Sequence, residues 1–384
     1  MQPQAGGAIE TRIAARSREL FAYVTGTEHC SISSASALAD RIEDSLWHAG
    51  ERVPANEAEL SETFCVGRRM VRQASRVLQQ RCVMEPRRGG RGSGGLKPIV
   101  PDAPQLARAL ADAVRAQCDR RAIEEARSFL APLLARRSGP LAALLSDMIA
   151  SLARDSHQPV VEQLGPQASS LAQQLIRGSA GDFAAAPLFI GSFDSIAERY
   201  GVSHETVVEA VRLLEDRQLV ALRRGRGGGV YLSNGSTARV ARMANAFLAG
   251  NHIPLADCQY LLLEINVEMI NLACRREQRA GADGVLASLN TMDKARTASE
   301  VAVAWYPVQR EIAELAQSPI LHVFARCLAA SLVLRRLHAA EIPEADAHDL
   351  YGATRSIVDN VVRGKSNGNR DAHVLCQHVL GRYW

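Results

Sequence analysis

Aromatic residues make up only 5% of these 384 residues, and no two of the eight cysteines (30, 65, 82, 118, 258, 274, 327, 376) are spaced as CxxC. The cysteines therefore form no zinc or redox framework, and they read as buried thiols in a reducing cytosol. No apolar run approaches the roughly 20 residues that span a bilayer. The opening "MQPQAGGAIETRIAARSRELF" has no apolar signal-peptide core, so a cytoplasmic chain is expected. There is no Walker lysine, no GxSxG and no HExxH. A formal GxGxxG occurs at Gly90, Gly92 and Gly95, but Pro98 and Pro101 follow where a dinucleotide fingerprint would open a helix. The chain is therefore not expected to be an enzyme, and no cofactor is expected. The net charge is only +4, so any affinity for nucleic acid must come from local clusters.

Two such clusters stand out, "RRGGRGSGG" at 87–95 and "RRGRGGGVY" at 223–231. Each closes one copy of an internal repeat. Residues 56–93 align with 192–229 at a constant offset of 136 without a gap. Each copy begins with a capping residue, Asn56 or Ser192, and a short helix ending at Phe64 or Tyr200. A tight turn follows, "CVG" or "GVS", and then a second helix capped by Gly67 or Ser203. The second helix carries an apolar stripe, Val71, Ala74 and Leu78 or Val207, Ala210 and Leu214, on one face. Next comes a short apolar strand, "CVME" or "LVAL", then the Arg–Gly cluster, and in the second copy a return strand "GVYL". Earlier helices at 37–50 and 169–178 complete a three-helix core in each copy. This is the element order of a winged helix-turn-helix. Because both clusters end a folded repeat, a disordered RNA-binding tract is disfavoured.

The fold class expected is mainly α: two winged helix-turn-helix domains, each three helices plus a small β-hairpin, and an all-α helical bundle. The expected boundaries are 1–35 for an N-terminal helical extension and 36–98 for the first winged helix. A helical linker or truncated effector-like segment follows at 99–165, a second winged helix at 166–234, and the helical bundle at 235–384.

A helix in the DNA major groove reads base edges with polar side chains on its outer face. In the first copy that face carries Arg68, Arg69, Arg72 and Arg76, opposite the apolar stripe. Window 66–97 holds nine Lys/Arg and one acid, a local charge of +8, a strong footprint for phosphates. The matched window 202–233 holds five basic and four acidic residues, a local charge of +1. His204, Glu205 and Val208 stand there in place of Arg68, Arg69 and Arg72. Ser203, His204, Thr206 and Arg212 are its candidate DNA contacts. Arg87, Arg88, Arg91 and Gly92, and Arg223, Arg224 and Arg226, are candidates at the two wing tips. There glycine allows close approach and arginine reaches phosphate or the minor groove. The second copy either reads DNA or serves as a scaffold paired with the first, and both readings stay open.

The stretch "LADRIEDSLWHAGERVPANEAELSETFCVGRRMVRQASRVLQQRCVMEPRRGGRG" resembles the DNA-binding domain of GntR-type bacterial transcription regulators, and "IAERYGVSHETVVEAVRLLEDRQLVALRRGRGGGVYL" resembles a second copy. The resemblance implies a double-stranded DNA operator, a homodimer and a small-molecule effector of unknown identity. It also implies DNA contacts by Arg68 and by Arg72 of a Val-Arg pair. Family members usually carry one such domain, so two copies are a departure. Another arginine of the family pattern is Ala58 or Asp194 here. Residues 236–384 are similar to the all-helical effector domain of the FCD subgroup, many members of which bind a metal through one Asp and three His. Gln309 and Thr354 stand where two of those histidines are expected, with His378 and His373 the retained ones, so no metal site is expected. Tyr260, where the subgroup commonly has an arginine, joins Glu264, Gln309 and His378 as candidate ligand contacts. The implied function is a sequence-specific transcription regulator whose operator affinity a ligand modulates. The alternative is an interaction or dimerisation module that has lost specific DNA binding. One chain then covers both half-sites, or a dimer covers four.

Overall fold

In the computed structural model, Ser34–Leu46 forms α1, Glu57–Thr63 forms α2 and Arg68–Gln80 forms α3. The start of α2 is set by Asn56, whose Oδ1 accepts from the amides of Ala58 and Glu59 at 3.0 and 2.9 Å. Those amides have no partner inside the helix, so the side chain fixes where it begins. Strands β1 (Met84–Arg87) and β2 (Gly95–Pro98) then pair antiparallel, Met84 opposite Pro98 and Arg87 opposite Gly95. The structure describes residues 20–22, 24–25, 34–47, 56–81, 83–87, 95–114, 118–135, 139–153, 166–178, 189–216, 220–223, 228–232, 237–276, 282–335 and 342–383.

The same order returns later in the chain, after three further helices. α7 (Pro166–Gly178), α8 (Phe193–Tyr200) and α9 (His204–Asp216) precede β4 (Val220–Arg223) and β5 (Gly229–Leu232). Ser192 Oγ accepts from the Ser195 amide at 3.1 Å and opens α8 as Asn56 opens α2. The turn between the second and third helices needs one left-handed residue, supplied by Gly201 at φ 62° and, 136 positions earlier, by Cys65 at φ 52°. Val71, Ala74 and Leu78 of α3 are buried, as are Val207, Ala210 and Leu214 of α9. α3 packs on α1 and α9 on α7. Burying each Val or Leu of those stripes contributes about 1.5–3 kcal/mol.

The hairpin expected in each copy takes its place, and the second copy carries one strand more than expected. The return strand of the first copy is Gly95–Pro98, and Gly95 pairs with Arg87 eight positions earlier where Gly229 pairs with Arg223 six positions earlier. The ungapped match therefore ends at the first strand, and the loop beyond it is longer in the first copy. The second copy also has a third strand, β3 (Phe189–Gly191), so its sheet runs β3-β5-β4. A side chain at Gly229 (φ 152°) would meet the Gly191 carbonyl oxygen and Phe189 Cε2 at 2.7 Å. Gly229→Ala is expected to cost about 1–3 kcal/mol, because the sheet must open to admit the methyl. A denaturant titration returning the wild-type midpoint would refute this.

Both copies belong to one unit, built from residues 29–102 and 155–239. The other unit is built from residues 1–28, 103–154 and 240–384 and is helical throughout its described residues. Its first piece includes the buried Leu20, Phe21 and Val24. Its second piece is α4 (Ala103–Val114), α5 (Arg120–Ala135) and α6 (Pro140–Ala153). Its third piece is α10 (Ala238–Gly250), α11 (Leu255–Arg275), α12 (Ala282–Asp293), α13 (Ala298–Ala316), α14 (Pro319–Arg335), α15 (Glu344–Arg363) and α16 (Asn369–Tyr383).

α11 packs against α13, α14, α15 and α16 at the centre of this unit. α14 presents buried residues on every side, from Ile320 through Phe324 and Leu328 to Leu334. α4 and α5 lie against it. Arg276, just past the end of α11, donates to Glu125 of α5 at 2.7 Å, and the Arg242 guanidinium lies 4.6 Å from the Phe21 ring centre. Among the described residues no helix is long and apolar enough to cross a membrane.

Candidate nucleic-acid interface

The face of α3 opposite its buried stripe carries Arg68, Arg69, Arg72 and Arg76, all exposed. Arg68, Arg72 and Arg76 recur every four residues, which keeps them on one side of a helix of 3.6 residues per turn. Arg72 is held by Glu57 of α2, Nε to Oε2 at 3.0 Å. Both partners are largely exposed, so the pair is worth at most about 1 kcal/mol and yields readily to a competing anion. The sequence reading missed Glu57. Its signal is an acid in the first turn of the helix that precedes the arginine helix, where the tight turn folds the two together. Behind this face, Arg41 lies 5.1 Å from the ring centre of Phe64.

On α9 the matching positions are chemically mixed. Ser203, His204, Glu205, Glu209 and Arg212 are exposed and Thr206 half-buried. Ser203 Oγ accepts from the Thr206 amide at 3.2 Å and lies 2.9 Å from its hydroxyl, so both hydroxyls are engaged in capping the helix. His204 Nε2 lies 3.8 Å from Asp194 Oδ1 of α8. Each copy thus links its third helix to its second through one acid, Glu57 or Asp194. In the first copy that acid faces an arginine and in the second an imidazole.

At the hairpins, the backbones of Arg87 and Arg223 end β1 and β4, each opposite a glycine that opens the return strand. Lys97 and Glu85 face each other across the first hairpin at 3.3 Å. Arg88, Arg91, Gly92, Arg224 and Arg226 lie outside the described residues, as do the side chains of Arg87 and Arg223.

The candidate ligand residues divide into two places. Tyr260 and Glu264 are on α11 at the surface, where Arg370 of α16 grips the Glu264 carboxylate at 2.6 and 3.0 Å. That guanidinium holds the Glu264 carboxyl below its ordinary range. Gln309 is on α13, with its Nε2 buried and without a hydrogen-bond partner. His378 is exposed on α16. The imidazole that turns inward is His373, fully buried, whose ring stacks on Trp305 of α13 at 6.0 Å between centres. Both His373 nitrogens and Gln377 Nε2 are also buried without partners. Trp305 and Gln309 are one turn apart on α13, and His373 and Gln377 one turn apart on α16. Periodicity carried the signal that separates the two histidines: His373, Cys376 and Leu380 share the buried face, and His378 falls on the opposite side.

Thr354 donates to the Leu350 carbonyl at 2.7 Å and lies 3.8 Å from Cys376 Sγ. Among the described residues no three His, Cys, Asp or Glu side chains converge. A cleft of about 1060 Å³ lies between α5 and α11 in the same unit. Its four arginines are each bound to a glutamate that lines it, Arg121 and, across the cleft, Arg276 to Glu125, Arg275 to Glu268 and Arg120 to Glu124. It therefore offers an anion little uncompensated charge.

Burial pushes the His373 imidazole down to about 4. It is neutral in the folded unit, while an unfolded histidine takes a proton near pH 6.5. The unfolded chain therefore binds the proton first as the pH falls, and stability is lost from about pH 6.5 down to about pH 4. The expected loss from this group is about 2 kcal/mol at pH 5. His373→Leu is expected to flatten urea-measured stability across that window. An unchanged slope would show that His373 is not its source.

No family model matches the chain, and no curated protein matches it. Among solved structures the chain is similar to a Streptococcus agalactiae GntR, 16% identical, with a TM-score of 0.40. The match covers 56% of this chain and 99% of that one.

Proposed function

We propose that this protein is a sequence-specific DNA-binding transcription regulator of the GntR type, with two winged helix-turn-helix domains in one chain. The observation that carries the reading is the pairing of a buried stripe with an exposed one on α3. Val71, Ala74 and Leu78 seat the helix, and Arg68, Arg69, Arg72 and Arg76 stand clear on its other side. Arginine forks suit guanine edges and phosphates alike, so this face supplies both base reading and non-specific attraction. The arginines that follow the first strand of each hairpin in the sequence would serve as wing contacts to phosphate or the minor groove.

An effector in the helical unit modulates this binding. Supporting that part are the partnerless polar atoms of Gln309, His373 and Gln377. Buried polar groups in native proteins are nearly always hydrogen-bonded, so these three side chains, on two helices that meet at Trp305 and His373, call for partners. A small molecule with hydrogen-bonding groups, seated between α13 and α16, satisfies them. It favours one of two arrangements of the chain and so shifts operator affinity.

The test is a selection of randomised duplex DNA with the full chain, repeated with candidate metabolites. One enriched sequence is the expected result. Equal retention of all sequences overturns the regulator reading and leaves the interaction-module alternative.

A further inference from the structure

The cleft between α5 and α11 plays no part in the reading above, and its lining is of two kinds. Leu272 of α11 and Leu321 of α14 are buried and Phe129 of α5 is half-buried, which gives the cleft an apolar lining. The rest, Ser128 aside, is charged, and every charge in it has a partner of opposite sign. Glu268, Leu272 and Arg275 are spaced by four and three residues, so the Arg275–Glu268 pair and Leu272 share one face of α11. The Arg275 side chain is largely exposed, and a pair of this kind contributes little and exchanges partners readily. Arg276 and Glu125 are more buried, and their pair joins the two walls. Burial raises the Glu125 carboxyl, but hydrogen bonds from Arg276 and Arg121 outweigh it and hold the group below its ordinary range. The carboxylate is therefore ionised and depends on its partners.

These charges decide what enters. A ligand with a carboxylate alone takes an arginine and leaves a glutamate unpaired. A ligand with an ammonium alone takes a glutamate and leaves an arginine unpaired. A charge left without its partner in a partly dry cleft costs more than a surface pair gains. A ligand that carries both signs leaves neither group alone, provided both of its charges reach one opened pair. An α-amino acid meets that condition, because its ammonium and carboxylate sit on a single carbon. We infer that this cleft binds a free α-amino acid with a large apolar side chain, its carboxylate on Arg275, its ammonium on Glu268 and its side chain on the apolar lining. The volume of about 1060 Å³ leaves room for the bulkiest apolar side chain. This place is distinct from the partnerless polar groups of α13 and α16. Binding there does not depend on the DNA-binding reading, and a chain without an operator would show it equally.

The experiment is isothermal titration calorimetry on the full chain with four probes: phenylalanine, N-acetylphenylalanine, phenylalaninamide and glycine. The second has lost the ammonium, the third the carboxylate and the fourth the apolar side chain. Phenylalanine is expected to bind, and each of the others to bind at least about 10-fold more weakly, since each lacks one charge-assisted or apolar contact. No heat with phenylalanine at millimolar concentration overturns the inference. So does equal binding of either blocked form, which would mean that one charge suffices, or of glycine, which would mean that the apolar lining takes no part. Arg275→Ala places the site. The side chain is exposed, so its loss leaves the chain folded, and it leaves Glu268 without a cation. The variant is expected to lose about 10-fold in affinity for phenylalanine and to bind phenylalaninamide as well as phenylalanine, a reversal that a merely structural role would not produce. A variant that keeps the wild-type order of the four probes overturns the assignment to this cleft.

Discussion

Replacing Arg68 and Arg72 together by alanine is expected to weaken binding to the selected operator by about 30-fold or more while the chain stays folded. Each forked arginine contact to a base is worth about 1–3 kcal/mol, so removing both costs about 2–6 kcal/mol. Every 1.4 kcal/mol is about tenfold in affinity. The folded state loses little, because both side chains are exposed and the partner of Arg72 is a surface carboxylate. A further readout separates phosphate binding from base reading. Each arginine taken off a phosphate lowers the slope of log affinity against log salt by about 0.9. Glu57→Gln moves affinity the other way by a few-fold, since it frees Arg72 and removes a negative charge beside the groove. Fluorescence anisotropy with labelled operator measures all three. An Arg68/Arg72 double variant that binds like the wild type would remove α3 from the interface.

The largest effect on stability is expected at Arg81, just past the end of α3. Its Nη1 donates to Asp40 at 2.7 Å and to Glu43 at 2.9 Å, both on α1. The Arg81 side chain is 7% exposed and that of Glu43 2%, so these charges are out of water and depend on one another. Arg81→Leu takes a buried cation away from the Glu43 carboxylate, itself buried, and from the half-buried Asp40. Breaking a buried pair from one side costs about 3–5 kcal/mol, a large share of the 5–15 kcal/mol that a domain has. The first copy of the repeat is expected to melt at least about 10 °C lower, and DNA binding to disappear with it. A triple variant, Arg81→Leu with Asp40→Leu and Glu43→Leu, is expected to recover most of the loss, because it removes the stranded charges as well. Thermal unfolding followed by circular dichroism decides this. If the single and triple variants melt alike, the ion pair contributes nothing particular to the seam between α1 and α3.

What was legible in the sequence was local. Asn56 and Ser192 mark helix starts because a cap acts on the next two or three amides. The stripes of Val71, Ala74 and Leu78 and of Val207, Ala210 and Leu214 mark buried faces because helical spacing is short-range. Strand β3 was not legible, since three residues, "FIG", are too few for an alternating pattern. The first return strand, "GLKP", was hidden by a glycine and a proline, both poor strand formers, which an edge strand tolerates. The pairings of Glu57 with Arg72 and of Asp194 with His204 were not legible, because each joins residues of successive helices across the turn. In the helical unit the two histidines of α16 fall on opposite sides of the helix. His378 looked retained by position, but helical phase turns His373 inward. Arg81 gave no signal, because its acids lie some forty residues back and only the packing of α1 on α3 joins them.

The way the chain is threaded has a practical consequence. It passes between its two units four times, at residues 28–29, 102–103, 154–155 and 239–240. Neither unit is a contiguous stretch that a truncation could release. A single cut between α6 and α7 would give two fragments, each holding part of both units, with α4 and α5 of one fragment seated on α14 of the other. Co-expressed as separate polypeptides, the halves should therefore reassemble into a working split protein, whereas either half alone would have neither of its cores complete.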